Sequence, residues 1–361
     1  MDCLHIPEMS YREFGERLSR HAAHKRLPLV ATLDLTERCN LNCVHCYVNQ
    51  PAGDQEIRTR ELDGRQWARI LDEAAAEGCL FLLLTGGEPL LRPDFQEIYA
   101  HAKKLGMLIT LFTNGTLITP ALADFLRDYP PLQVEISVYG RSRPTYEAVA
   151  RTPGAYDKCM RGIELLLARQ IPLKLKSIVM TLNAHELWDL KAWAEDLGVN
   201  FYYDPVLNPR LNGGKEPLAL RLSPEEVVEF DRRDEARFQS WQEAVAMFGK
   251  VPESEYLYKC GAGVGSAHVD AFGKMHICTM SRSAGFDLTR KSWKEGWEDY
   301  LPRLRDQKPQ GDYPCGQCGL FFLCGQCPAW GVMENGDPEK PVSYLCRIGH
   351  LRAEALRLNQ S

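Results

Sequence analysis

Seven cysteines crowd into residues 260–346 of this 361-residue chain, out of 13 in all. The same stretch is rich in turns and poor in apolar residues, so it cannot bury enough core to fold alone. Bound metal is what would hold such a segment together. Three more cysteines, Cys39, Cys43 and Cys46, fall within eight residues, and only Cys3, Cys79 and Cys159 stand alone. Cys79 opens the apolar run CLFLLL and reads as a buried small hydrophobe. No basic, apolar, small-residue sequence opens the chain, so a cytoplasmic location is expected. There, thiols ligate metal or catalyse rather than pair as disulfides. The longest apolar run, Cys79–Leu84, has six residues. A membrane helix needs ~18 or more, so no membrane partner is expected. A net charge of −5 and the lack of an aromatic-interleaved basic stripe argue against nucleic acid.

Residues 29–206 alternate short apolar runs with amphipathic stretches. Strands are expected over 29–35, 80–85, 107–113, 133–139, 173–180 and 200–206, and helices over 63–77, 94–105, 118–128, 155–170 and 184–197. Near-continuous apolar strands alternating with helices imply a parallel sheet covered on both faces. A barrel and a doubly wound open sheet share this periodicity, and the pattern alone does not separate them. The Pro-, Gly- and Asn-rich segment 205–222 reads as a linker. Ser223-Pro224-Glu225-Glu226 then offers an N-cap, a Pro at the first helical position and a capping-box Glu, starting a charged helix to about residue 245. Asp231-Arg232-Arg233-Asp234-Glu235 reads as its solvated face.

The string TERCNLNCVHCY has the spacing C-x3-C-x2-C and follows the first expected strand directly. Three thiolates can ligate three irons of a [4Fe–4S] cluster, and with no fourth Cys nearby one iron stays open, as in a catalytic site. Zinc completed by His45 or by a distant Cys is the competing reading. Here the chain resembles the radical SAM superfamily, whose motif is this three-Cys spacing with an aromatic residue before the last Cys, a place held by His45. The resemblance spans 29–206 and implies a partial (β/α)6 TIM-like barrel. Gly86-Gly87-Glu88-Pro89 follows the second strand, where the family's glycine-rich motif contacts the methionine amino group of S-adenosyl-L-methionine (SAM). Thr113 and Asn114 at the end of the third strand, Ser137 near the end of the fourth and Lys176 on the fifth fall where relatives place further SAM contacts. The resemblance implies reductive cleavage of SAM to a 5′-deoxyadenosyl radical that abstracts hydrogen from substrate. It also implies an electron donor such as flavodoxin or ferredoxin.

The C-terminal cysteines read Cys260-x17-Cys278, then Cys315-x2-Cys318-x5-Cys324-x2-Cys327, then Cys346. This is similar to the SPASM extension of radical SAM enzymes, although the last spacing within the run is x2 where the usual pattern has x3. A zinc ribbon would separate its two knuckles by ~15–20 residues, and these lie much closer. The resemblance implies two auxiliary [4Fe–4S] clusters, one on Cys315, Cys318, Cys324 and Cys346, the nearer one on Cys260, Cys278 and Cys327 with an open iron. Residues 266–278 read as a β-hairpin turning at Gly273. His268 and His276 flank that turn and read as packing or surface residues.

The expected organisation is thus an N-terminal helical extension (1–28), an α/β barrel (29–206), a linker and bridging helix (207–259) and a small cysteine-rich SPASM domain (260–361). Tyr203 and Asp204, ending the sixth strand, are candidate substrate contacts. The leading expectation for substrate is a peptide or protein, matured by cross-linking, thioether formation, oxidation or epimerisation. Side-chain chemistry on a tetrapyrrole or another small molecule is the alternative, and a noncatalytic metal-stabilised interaction protein is a third.

Overall fold

Six parallel strands set the frame: β1 (Val30–Thr36), β2 (Phe81–Gly86), β3 (Leu108–Thr113), β4 (Gln133–Ser137), β5 (Leu173–Ile178) and β6 (Asn200–Asp204). A computed structural model of the chain describes residues 9–48, 50–248, 255–282 and 285–357. The six strands pair in sequence order, each parallel to the next. A doubly wound sheet reverses its order at a switch point. This one never does, and it is the partial barrel. Ala31, Leu33, Leu82, Leu84, Ile109, Leu111, Val134, Ile136 and Leu175 alternate along the strands and form the core beneath the helices.

The helices are α1 (Tyr11–Lys25), α2 (Gly64–Ala76), α3 (Phe95–Lys104), α4 (Pro120–Asp128), α5 (Arg143–Ala150), α6 (Ala155–Leu167) and α7 (Leu187–Asp196). In α2 an Asp63/Gln66 capping box starts the helix, and Trp67, Ile70, Leu71 and Ala74 recur at helical spacing to face the sheet. Helix α5 was not expected from periodicity. It is only eight residues long, and its start is signalled by the Ser142 N-cap and Pro144.

The charged segment after Ser223 forms two helices instead of one, α8 (Pro224–Arg233) and α9 (Glu235–Phe248), broken at Asp234. The expected solvated face holds for Arg232, Arg233 and Glu235, which are exposed, and is corrected for the two aspartates. Asp231 is 1% exposed and lies between Arg237 and Arg352, the latter 2.7 Å away. Asp234 is buried with Lys191. These carboxylates pin α8 and α9 to α7 and to the C-terminal helix, where a single-sequence charge run gives no hint of burial.

The hairpin forms as β7 (Ser266–Val269) and β8 (Lys274–His276), with β9 (Phe286–Asp287) beyond it. Strand β7 lies parallel against β1, so the cysteine-rich region extends the barrel sheet at its first strand. Helices α10 (Pro328–Asn335) and α11 (Ser343–Ala355) complete the region. Among the described residues no helix is long and apolar enough to cross a membrane.

Candidate functional site

Cys39, Cys43 and Cys46 occupy the loop that leaves β1. Backbone hydrogen bonds from Asn42 and Val44 to Ala150 and Val149 tie this loop to α5, and the Cys46 N–H bonds the Cys43 carbonyl. The three thiols lie within electrostatic reach of one another. Burial, then nearby Glu88, pushes the Cys39 thiol up to about 12, and burial raises Cys43 further. Such sulfurs become thiolates only beside strong positive charge. The Leu41 N–H (3.4 Å) and the Asn114 side-chain amide (3.7 Å) both point at the Cys39 sulfur.

The Gly86-Gly87-Glu88-Pro89 segment is bound directly to that loop. The N–H of Gly87 donates to the Thr36 carbonyl at 2.7 Å, and that of Glu88 to the Arg38 carbonyl at 2.9 Å. Gly86 has φ +123°, and a side chain there would strike the Thr36 carbonyl; one at Gly87 would strike the Arg38 carbonyl. Only glycine permits this approach. Glu88 is fully buried and accepts from the Thr113 hydroxyl and the Asn114 N–H, both at 2.8 Å, and from the Leu90 N–H at 3.1 Å. Burial pushes its carboxyl up to about 7, against the pull of those donors. The Asn114 amide then donates to Asn40, next to Cys39, at 2.9 Å. Residues from β2, β3 and the cysteine loop thus form one hydrogen-bonded unit. Pro89 is buried at the start of a single 3-10 turn.

His45 packs edge-on against Tyr139, with centroids 4.9 Å apart, and its buried Nδ1 has no protein partner. Burial, then Arg210, lowers its pKa to about 4, so the ring is neutral. Ser137 lies beside Tyr139, whose hydroxyl also meets Cys43. Lys176 stands on the open face of the sheet over the Phe112 ring, with Glu135 3.8 Å away, and burial lowers its pKa to about 7.

The C-terminal thiols fall into two groups. Cys260, Cys278 and Cys327 lie within electrostatic reach of one another. Cys315, Cys318, Cys324 and Cys346 line a second cavity of ≈ 100 Å³ with Phe321 and His350. Backbone N–H groups of Trp330 and Gln326 point at the Cys327 and Cys324 sulfurs, both at 3.4 Å. Among the described residues no three His, Cys, Asp or Glu side chains converge as they would on a single metal ion. A cubane binds each thiolate through a different iron, so convergence on one point is not its requirement.

The two candidate substrate contacts, Tyr203 and Asp204, end β6 in different surroundings. Tyr203 faces the helix layer: it is buried, its hydroxyl donates to the Phe230 carbonyl, and its ring meets Trp188. Strand alternation instead turns Tyr202 outward, 49% exposed. Asp204 accepts from the Val206 N–H at 2.9 Å and closes the strand end. Reasoning from sequence also missed a polar cluster beside the first cradle. His268 is buried 3.1 Å from Asp34, and His276 is buried 2.9 Å from Asp270. Alternation along the hairpin carried a weak sign of this, because His268 and His276 pair directly across it.

Residues 33–195 match the family model for the radical SAM superfamily. The chain is 34% identical to the Fe-coproporphyrin III synthase of Methanosarcina barkeri, with 90% of each chain covered. It is 29% identical to the PqqA peptide cyclase of Ruegeria pomeroyi, over 86% of this chain and 85% of that one. Its fold matches Streptococcus suis SuiB bound to precursor peptide SuiA with a TM-score of 0.67, at 15% identity, covering 96% of this chain and 84% of that one.

Proposed function

The chain belongs to the radical SAM superfamily, in its SPASM-bearing branch, and from that premise we propose that it modifies a peptide or protein. The observation that carries this reading is the likeness to a peptide cyclase over 86% of this chain, which gathers its thiols into three separate groups. As a family member it is an enzyme that uses SAM and a [4Fe–4S] cluster.

In this reading Cys39, Cys43 and Cys46 hold the cluster and leave one iron to SAM. The residues fit that group: three thiols lie within electrostatic reach of one another, N–H donors point at a sulfur, and the His45 Nδ1 awaits a polar neighbour. When bound, the cluster and SAM supply one-electron cleavage to a 5′-deoxyadenosyl radical. The protein's part is orientation. Gly86 and Gly87 let the β2 end approach the cysteine loop, and Glu88, Thr113 and Asn114 fix its position. Pro89, Ser137 and Lys176 complete the proposed SAM contacts. Cys260, Cys278 and Cys327 would hold a near auxiliary cluster, and Cys315, Cys318, Cys324 and Cys346 a far one. Asp270 and His268, which could have closed the near site, are held by His276 and Asp34. A flavodoxin or ferredoxin would supply the electron.

Incubating the reduced enzyme with SAM and deuterated candidates tests the substrate. Deuterium appearing in 5′-deoxyadenosine from short peptides encoded beside the gene supports the proposal. The likeness to an Fe-coproporphyrin III synthase favours a second reading, tetrapyrrole side-chain chemistry. Transfer from a deuterated tetrapyrrole, with none from peptides, would establish that reading instead.

A further inference from the structure

Beside the first cradle lies a charged cluster that the cofactor chemistry leaves unused. Arg282 stands four residues beyond Cys278, and its guanidinium reaches from that loop to β1. It meets Asp34 of β1 at 2.5 Å, Asp270 of the hairpin turn at 3.6 Å and Glu37 at 3.9 Å. Its Nε donates to the Thr279 carbonyl at 2.9 Å, so the same head group is also held to its own loop. Burial alone would weaken its hold on the proton, yet the adjoining carboxylates raise its pKa. His268, on β7, closes the cluster against Asp34.

The anchor points belong to different parts of the chain. Asp34 and Glu37 precede Cys39 on the strand and loop that enter the first cradle. Asp270 lies in the turn of the hairpin, and Thr279 directly follows Cys278. Arg282 also lines a cavity of ≈ 140 Å³ with Tyr258, Met280, Val332, Met333 and Leu211. The Leu211 N–H bonds the carbonyl of Tyr47, next to Cys46, while Val332 and Met333 lie on α10, which Cys327 caps. The cavity therefore sits between the first cradle and the Cys260/Cys278/Cys327 group, and Arg282 ties its two sides.

We propose that Arg282 is a positioning residue that fixes the separation of the first cradle and the near auxiliary cradle. A planar guanidinium suits this task because its fork serves several oxygens at once. An ammonium carries the same charge as a point and cannot span them. The proposal rests on reading Cys260, Cys278 and Cys327 as an auxiliary cradle, and it holds for a peptide or a tetrapyrrole substrate alike.

The test uses the anaerobically purified full chain with Arg282→Lys, Arg282→Gln and a Cys260/Cys278/Cys327→Ala reference. Both Arg282 variants should keep the first cluster's iron and their cleavage of SAM. Pulsed EPR of the reduced protein should show a broadened distribution of intercluster distances. Backbone amides over 278–282 should exchange roughly tenfold faster or more, as a loosened local unit does. Loss of iron from the near site alone in Arg282→Gln would equally support the proposal. Unchanged distances and exchange in Arg282→Gln, where the triple variant does lose iron, would overturn the proposal alone. A triple variant with wild-type iron would overturn the auxiliary reading and the proposal with it.

Discussion

Replacing Glu88 with Gln isolates what one buried carboxyl does for the first cradle. Three donors converge on it, the Thr113 hydroxyl and the N–H groups of Asn114 and Leu90. A protonated acid can turn its O–H toward the Thr113 oxygen and still accept from both N–H groups. An amide nitrogen accepts nothing. Whichever way Gln is placed, its NH2 faces either the Leu90 or the Asn114 N–H, and one buried donor is orphaned. Such a loss costs ~1–3 kcal/mol. For a unit the size of this barrel, ~2 kcal/mol corresponds to a melting shift of ~4–8 °C. The same change loosens Asn114, whose amide reaches Asn40 beside Cys39, so SAM affinity should fall by about tenfold for each ~1.4 kcal/mol transmitted.

The pH dependence gives an independent check. Folding raises the Glu88 pKa from its ordinary 4.5 to about 7. Between those values the native state holds a proton that the unfolded chain has released, so this residue's contribution to stability falls as pH rises through that window. The total is on the order of 3 kcal/mol. Glu88→Gln should lose this slope. The assay is anaerobic thermal unfolding at several pH values together with equilibrium SAM binding. A melting temperature within about 1 °C of wild type, with unchanged SAM affinity and an unchanged pH slope, would refute the reasoning.

Changing Cys39, Cys43 and Cys46 together to Ala should abolish 5′-deoxyadenosine formation under dithionite while iron remains on the C-terminal cysteines; continued formation would show that another site holds SAM. Cys318→Ala should lose iron and become protease-sensitive within 260–361, with the barrel intact, because clusters supply folding free energy where apolar core is scarce; unchanged iron and resistance would count against Cys318 as a ligand. Gly87→Ala forces a methyl against the Arg38 carbonyl, so it should cost ~1–3 kcal/mol and weaken SAM binding, as titration calorimetry would show. Cyanide added to the Cys39/Cys43/Cys46 variant should shift one auxiliary EPR signal if the near cluster has an open iron, and leave the other unmoved.

Much of the chain was legible from local pattern. Apolar runs at strand spacing located β1 to β6 to within a residue or two, because the strand residues that pack beneath the helices must be apolar. Cysteine spacing singled out the Cys39/Cys43/Cys46 group, and Gly273 marked the turn of the hairpin between Cys260 and Cys278. Ser223 and Glu226 form the expected capping box. These features depend on neighbours a few residues apart, which one sequence records directly.

What tertiary structure decided depends on partners that sequence distance hides. The order of strands separated a barrel from a doubly wound sheet, because both use the same periodicity and differ only in which strands pair. Asp231 looks like a surface charge until Arg352, far along the chain, packs against it and offsets the cost of burial. Tyr203 packs against the helices while Tyr202 is exposed, because one step along a strand reverses the face. His268 and His276 read as lone histidines, and only the seating of β7 against β1 brings His268 onto Asp34 and Arg282 between the two cradles. Sequence by itself determined the kinds of side chain available and the local elements that carry them. The encounter of charges from β1, the hairpin turn and the loop after Cys278 was decided by folding, because only the closed chain makes it cheaper to pair those groups than to leave them in water.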